Sequence, residues 1–71
     1  MSVQNMLVEI QLSYNQFTKT EKKIADYVMK NPTKVMFMSI TELSDVCGIA
    51  EASVHRFCRK VGAKGYQEFK M

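Results

Sequence analysis

Residues 39–69 read SITELSDVCGIAEASVHRFCRKVGAKGYQEF, and this stretch decides the fold. Ser39-Ile40-Thr41-Glu42 is a capping box, in which the Ser39 hydroxyl satisfies the Glu42 amide and the Glu42 carboxylate reaches back to the Ser39 amide. The helix it starts is expected to carry Ile40, Leu43, Val46 and Cys47 on one apolar stripe. Gly48 ends that helix, because glycine enters the left-handed conformation of a sharp turn without strain. Ile49 comes next as the apolar plug of the turn. A second helix, from about Ala50 to Lys60, places Val54, Phe57, Cys58 and Val61 inward at i, i+3, i+4 and i+7. Ser44 is small enough to sit where the two helices cross. Two short helices interlocked around a glycine turn form the helix-turn-helix pattern, here spanning about residues 39–61.

The outward side of the second helix carries Ala52, His55, Arg56 and Arg59, flanked by Ser53 and Lys60. These residue types suit the major groove of DNA. Arginine can bond a guanine edge with two donors, and His55 and Ser53 can donate to bases or phosphates. Ala52 permits close approach and can touch a thymine methyl, while Glu51 can accept from cytosine N4. Lys60, Lys64 and the hydroxyls of Thr41 and Ser53 are candidates for holding phosphates. The expected interface is therefore Thr41, Glu51, Ala52, Ser53, His55, Arg56, Arg59, Lys60 and Lys64.

The charge distribution points the same way. The chain has a net charge of +3. Residues 50–71 hold Arg56, Arg59, Lys60, Lys64 and Lys70 against Glu51 and Glu68, so the excess sits on the second helix and the segment after it. An excess placed this way favours a polyanionic partner.

Working outward, Val3, Met6, Leu7, Ile10 and Tyr14 keep helical spacing and predict a first amphipathic helix. Residues 13–16 read as a polar break. Thr18-Lys19-Thr20-Glu21 is another capping box, preceded by Phe17 as a hydrophobic staple. The helix it opens runs through Ile24, Ala25, Tyr27 and Val28 to Asn31-Pro32, since proline disfavours helical geometry in the residue before it. Pro32 is expected to start a short helix with Asn31 as its cap, directing Val35, Met36, Phe37 and Met38 inward. Beyond Gly62, Tyr66 to Phe69 reads as the first turn of one more helix, with Tyr66 in the core. No segment alternates with period two, so no strand is expected. The predicted fold is all-α: a small helical bundle of about five to six short helices with a homeodomain-like helix-turn-helix.

Several function classes are disfavoured. A chain of 71 residues is one domain at most, with little room for an enclosed cavity. Cys47 and Cys58 read as small apolar residues of a reduced compartment, and with one histidine they make no finger-like metal site. The acidic residues show no paired arrangement for acid–base work, so an enzyme is not expected. No cofactor and no membrane contact are expected. The N-terminus lacks the basic n-region and cleavage site of a signal peptide, and the reduced reading of the two cysteines makes a cytoplasmic protein the expectation.

The segments TEKKIADYVMKNP (20–32), FMSITELSDVCGI (37–49) and EASVHRFCRKVGAKGYQEFK (51–70) together resemble the N-terminal domain of RpiR-type bacterial transcription regulators. The resemblance runs from about Met6 onward. It implies a compact helix-turn-helix domain and maps Ser53, Arg56 and Lys60 onto the DNA-facing helix. It further implies a phosphosugar-binding SIS (sugar isomerase) domain C-terminal to this chain, which would carry a sugar-phosphate effector. Family members act as dimers or higher oligomers and control sugar-catabolism genes. The chain departs from the family at Ala50, where a serine usually caps the recognition helix, and at His55, where an apolar or small residue is common.

The expected function is sequence-specific binding of double-stranded DNA by residues 51–60 in the major groove. The alternative is a helical protein–protein interaction or dimerisation module with no DNA binding. An RNA-binding role is weaker, because no aromatic stacking platform is exposed in this reading.

Overall fold

A computed structural model describes residues 3–70, with side chains from Met6 to Lys70. Helix α1 spans Val3–Ser13 and leads into a single 3-10 turn, Tyr14–Gln16. Helices α2 (Lys19–Lys30), α3 (Pro32–Met36), α4 (Ile40–Cys47), α5 (Glu51–Lys60) and α6 (Tyr66–Lys70) complete the chain order. Among the described residues there is no strand, as the sequence predicted.

Both capping boxes form. At α2, Glu21 N donates to Thr18 Oγ1 at 3.2 Å, and Thr18 N donates to Glu21 Oε1 at 2.8 Å. At α4, Glu42 N donates to Ser39 Oγ at 3.1 Å and Ser39 N donates to Glu42 Oε1 at 2.9 Å. Helix α5 has no such start: Ala50 offers no side-chain oxygen, and no side-chain cap bond is made there. Gly48 ends α4 with φ +69°, and the Ile49 amide donates back to the Ser44 carbonyl at 3.0 Å. This closes the helix with a bond that its last carbonyls would otherwise lack.

Helix α5 packs against α4 and α2, while α1 covers α3 and touches α6. Phe57 of α5 is fully buried at the centre, with its ring centroid 5.1 Å from Phe17 and 6.0 Å from Phe69. Each such aromatic pair adds about 0.5–1.5 kcal/mol beyond the apolar area it buries. Phe17 therefore packs on α5. The staple partner it would need within its own helix, at the fourth position of α2, is the polar Lys22. Met6, Ile10, Ile24, Val28, Val35, Leu43 and Val54 complete the interior. Tyr66 is buried as expected, and its hydroxyl donates to the Met38 carbonyl at 2.7 Å.

Four details differ from the sequence reading. Val46 is 54% exposed, because it lies about 90° round α4 from the centre of the stripe that Ile40, Leu43 and Cys47 define. Cys47 is only half-buried, and buried Ser44 fills the crossing point, donating its hydroxyl to the Thr41 carbonyl at 2.8 Å. Met36 and Phe37 are 42% and 82% exposed; successive residues turn about 100° apart, so four in a row cannot share one face. Finally, Asn31 stands at the N-cap position of α3 as expected, but its side chain makes no cap bond there. Its side chain donates to the Tyr27 carbonyl at 3.2 Å, sealing the end of α2 instead. Val3 falls outside the described side chains.

Candidate nucleic-acid interface

Helix α5 separates cleanly into two faces. Val54, Phe57 and Cys58 are buried, whereas Glu51, Ala52, His55, Arg56, Arg59 and Lys60 are exposed and Ser53 is half-exposed. The buried set anchors the helix on the core, so the cationic set has nowhere to point except away from it. No large apolar side chain of α5 remains at the surface. The outward face is thus polar, positively charged and rigidly backed.

The start of this face is tied to α4. The Thr41 hydroxyl donates to Glu51 Oε2 at 2.7 Å, linking the first turns of both helices across the glycine turn. Glu51 also stands in the first turn of α5, where a carboxylate is favoured by the exposed amides and partly replaces the missing Ala50 cap. One helical turn further on, an Arg56 guanidinium nitrogen donates to Ser53 Oγ at 3.3 Å. His55 lies against the turn after the helix: a side-chain carbon at Gly65 would come within 3.3 Å of His55 Cε1. The absence of a Gly65 side chain therefore leaves room for the imidazole. Ala52, Arg59 and Lys64 are exposed.

Lys60 is placed differently. Its Nζ lies 3.0 Å from Glu21 Oε1 and donates to the Gln16 carbonyl at 3.4 Å, while resting 5.8 Å from the centroid of the Phe17 ring. It joins the end of α5 to the start of α2. Burial by itself would push the Glu21 carboxyl up; the Thr18 amide, then Lys60, outweigh burial and hold it below the ordinary range.

The same junction contains a cleft of about 240 Å³ lined by Thr18, Thr20, Glu21, Ser53 and Arg56. Sequence reasoning missed the contribution of α2 here. The Thr18 capping box was visible, but its position beside α5 depends on the packing of Phe17 on Phe57, 40 residues apart. No local spacing carries that information.

Comparison with known proteins decides the family. The family described as "Helix-turn-helix domain, rpiR family" matches residues 4–71. The chain belongs to the rpiR helix-turn-helix family. A relative described as an uncharacterised HTH-type transcriptional regulator of Caldanaerobacter subterraneus is 45% identical over 67 residues, 94% of this chain and 24% of the relative. The N-terminal domain of Bacillus subtilis ybbH superimposes with a TM-score of 0.88 at 33% identity, over 93% of this chain and 80% of that one. Vibrio vulnificus NanR, solved in complex with ManNAc-6P, gives a TM-score of 0.87 at 38% identity, over 90% of this chain and 24% of that one. This rpiR-family chain spans about a quarter of the length of such full-length relatives. The family assignment agrees with the resemblance read from the sequence and makes the chain a helix-turn-helix domain of the rpiR family.

Proposed function

We propose that this domain binds double-stranded DNA sequence-specifically, with α5 in the major groove. The observation that carries the reading is the two-faced character of α5: its large apolar residues, Val54 and Phe57, and Cys58 are turned into the core, and Arg56, Arg59 and His55 are left on the outer face. A helix of this kind fits the width of the major groove, and arginine is the commonest specific reader of guanine there. In this reading Arg59, His55, Ala52 and Glu51 meet base edges, and Arg56 meets the DNA at the edge of the groove, beside Ser53. Thr41, Ser53 and Lys64 meet the flanking phosphates. Lys60 reaches a phosphate only by leaving Glu21. His55, set beside Gly65, contributes operator preference, so His55→Ala changes sequence discrimination more than affinity for random DNA.

A single small module buries roughly 600–1,000 Å² of protein on DNA and binds weakly alone. The whole protein is proposed to act as at least a dimer, with two copies on half-sites a whole number of helical turns apart. Likeness to NanR, which binds ManNAc-6P, supports a sugar-phosphate effector held by a SIS domain outside this chain, and control of sugar or phosphosugar metabolism genes.

The test is an amide chemical-shift titration of the labelled chain with a short mixed-sequence duplex at low salt. Shifts concentrated in residues 39–42 and 50–66 are expected. Affinity should fall with salt with a log–log slope of about −0.9 for each phosphate neutralised. An absence of shifts at millimolar duplex overturns the reading and leaves the basic face to a protein partner.

A further inference from the structure

We propose that the cleft between the first turn of α2 and the flank of α5 seats one phosphate of the DNA backbone, making α2 a second arm of the interface. The inference rests on the DNA-binding reading above and adds Thr18 and Thr20 to the contact surface.

The cleft has the chemistry of an anion seat. Its lining brings together three hydroxyls, from Thr18, Thr20 and Ser53, with the guanidinium of Arg56. Pockets for organic ligands are mostly apolar with a few polar groups; every residue lining this one carries a polar group. The Thr18 hydroxyl accepts from the Glu21 amide, which leaves its own proton to give. Arg56 spends one donor on Ser53, and a guanidinium has five. The carboxylate in the lining, Glu21, is engaged by the Thr18 amide at 2.8 Å and by Lys60 at 3.0 Å, so its charge is matched before a ligand arrives. The local balance is then one net positive charge, that of Arg56.

The position of the cleft selects the source of the anion. Arg56 and Ser53 belong at once to the cleft wall and to the outer side of α5. A duplex that takes α5 into its major groove must run a sugar–phosphate strand along the flank of that helix. The strand on the α2 side passes the mouth of the cleft. A phosphate seated there is held from two helices, α2 and α5, whose relative placement is set by the packing of Phe17 on Phe57 and which the Lys60–Glu21 pair also joins. It would set the tilt of α5 in the groove without reading any base.

Thr20→Glu tests this in the unaltered 71-residue background, with Thr33→Glu as a matched control of equal charge outside the cleft. A glutamate in the first turn of α2 favours the helix, so the melting temperature should hold or rise. Binding of a labelled duplex, tracked by fluorescence anisotropy across a salt series, should nevertheless weaken about tenfold, the scale of one hydrogen bond to a charged group. The salt slope should become shallower by about 0.9. Thr33→Glu should stay within about twofold of the parent, an effect of net charge alone. Equal weakening by both variants, or unchanged binding by Thr20→Glu, overturns the phosphate seat while leaving DNA binding intact. No binding by the parent chain is a different result: it removes the DNA reading, and the seat with it.

Discussion

Gly48 offers a clean measurement of what the turn requires. Its φ of +69° lies in the left-handed region, and a side-chain carbon added there would meet nothing within 4 Å. Any cost of substitution is therefore backbone strain and not a clash. Holding an ordinary residue in that region costs about 1–2 kcal/mol. Replacing glycine also restricts the unfolded chain, which returns about 0.4–1 kcal/mol. Gly48→Ala should thus lose about 1 kcal/mol net, against a total of about 4–11 kcal/mol for a chain of this length. In a domain of this size that lowers the melting temperature by about 4–8 °C. Gly48→Asn should cost less, because asparagine tolerates the left-handed region, and Gly48→Val should cost more, because a β-branched residue there is a strong outlier. Thermal and urea unfolding of the four proteins should give the order Gly, Asn, Ala, Val. Equal stability of Gly48→Ala and the parent, or of Gly48→Val and Gly48→Ala, would refute the assignment of the cost to backbone conformation.

Three further outcomes are expected. At Gly65, where φ is not in the left-handed region, Gly65→Ala should act through His55, whose Cε1 would lie 3.3 Å from the new carbon; a double-mutant cycle with His55→Ala should show coupling of about 0.5 kcal/mol or more, and strict additivity would refute the contact. Burial pushes the Cys58 thiol up to about 12 and raises that of half-buried Cys47 less, so iodoacetamide labelling read by mass spectrometry should modify Cys47 first and Cys58 only on unfolding. The Glu21 and Glu42 carboxyls lie below their ordinary value of 4.5 when folded: burial, outweighed by the Thr18 amide and Lys60, sets the first, and the Ser39 amide and hydroxyl set the second. Their stabilisation is present above pH 4.5 and is lost as pH falls from there through the lower folded values, so melting temperature should drop on that side. Glu21→Gln/Glu42→Gln keeps a side-chain acceptor and should flatten the drop; an unchanged acid profile would count against both carboxylates.

Most of the helices were legible because their signals are local. The Thr18 and Ser39 capping boxes, the Pro32 start and the Gly48 stop each lie within one helical turn of the boundary they set. The exposed set on α5 was legible for a related reason: once Val54, Phe57 and Cys58 are assigned inward, helical periodicity assigns Ala52, His55, Arg56 and Arg59 outward. Over short non-repeating segments the same reasoning weakened. Helix α3 has five residues, too few for a stripe to define itself, and Met36 and Phe37 went to the surface.

The sequence by itself determined where the helices start and stop, which side of α5 is apolar, and where the positive charge accumulates, because capping, turn geometry and helical period act between residues a few positions apart. Only the tertiary structure decided that Lys60 turns back to Glu21, that Phe17 packs on Phe57, that His55 lies against Gly65, and that Thr18 and Thr20 share a cleft with Ser53 and Arg56. Those pairings depend on how closed helices pack around one core, and the fit between distant surfaces is not encoded in the spacing along either one.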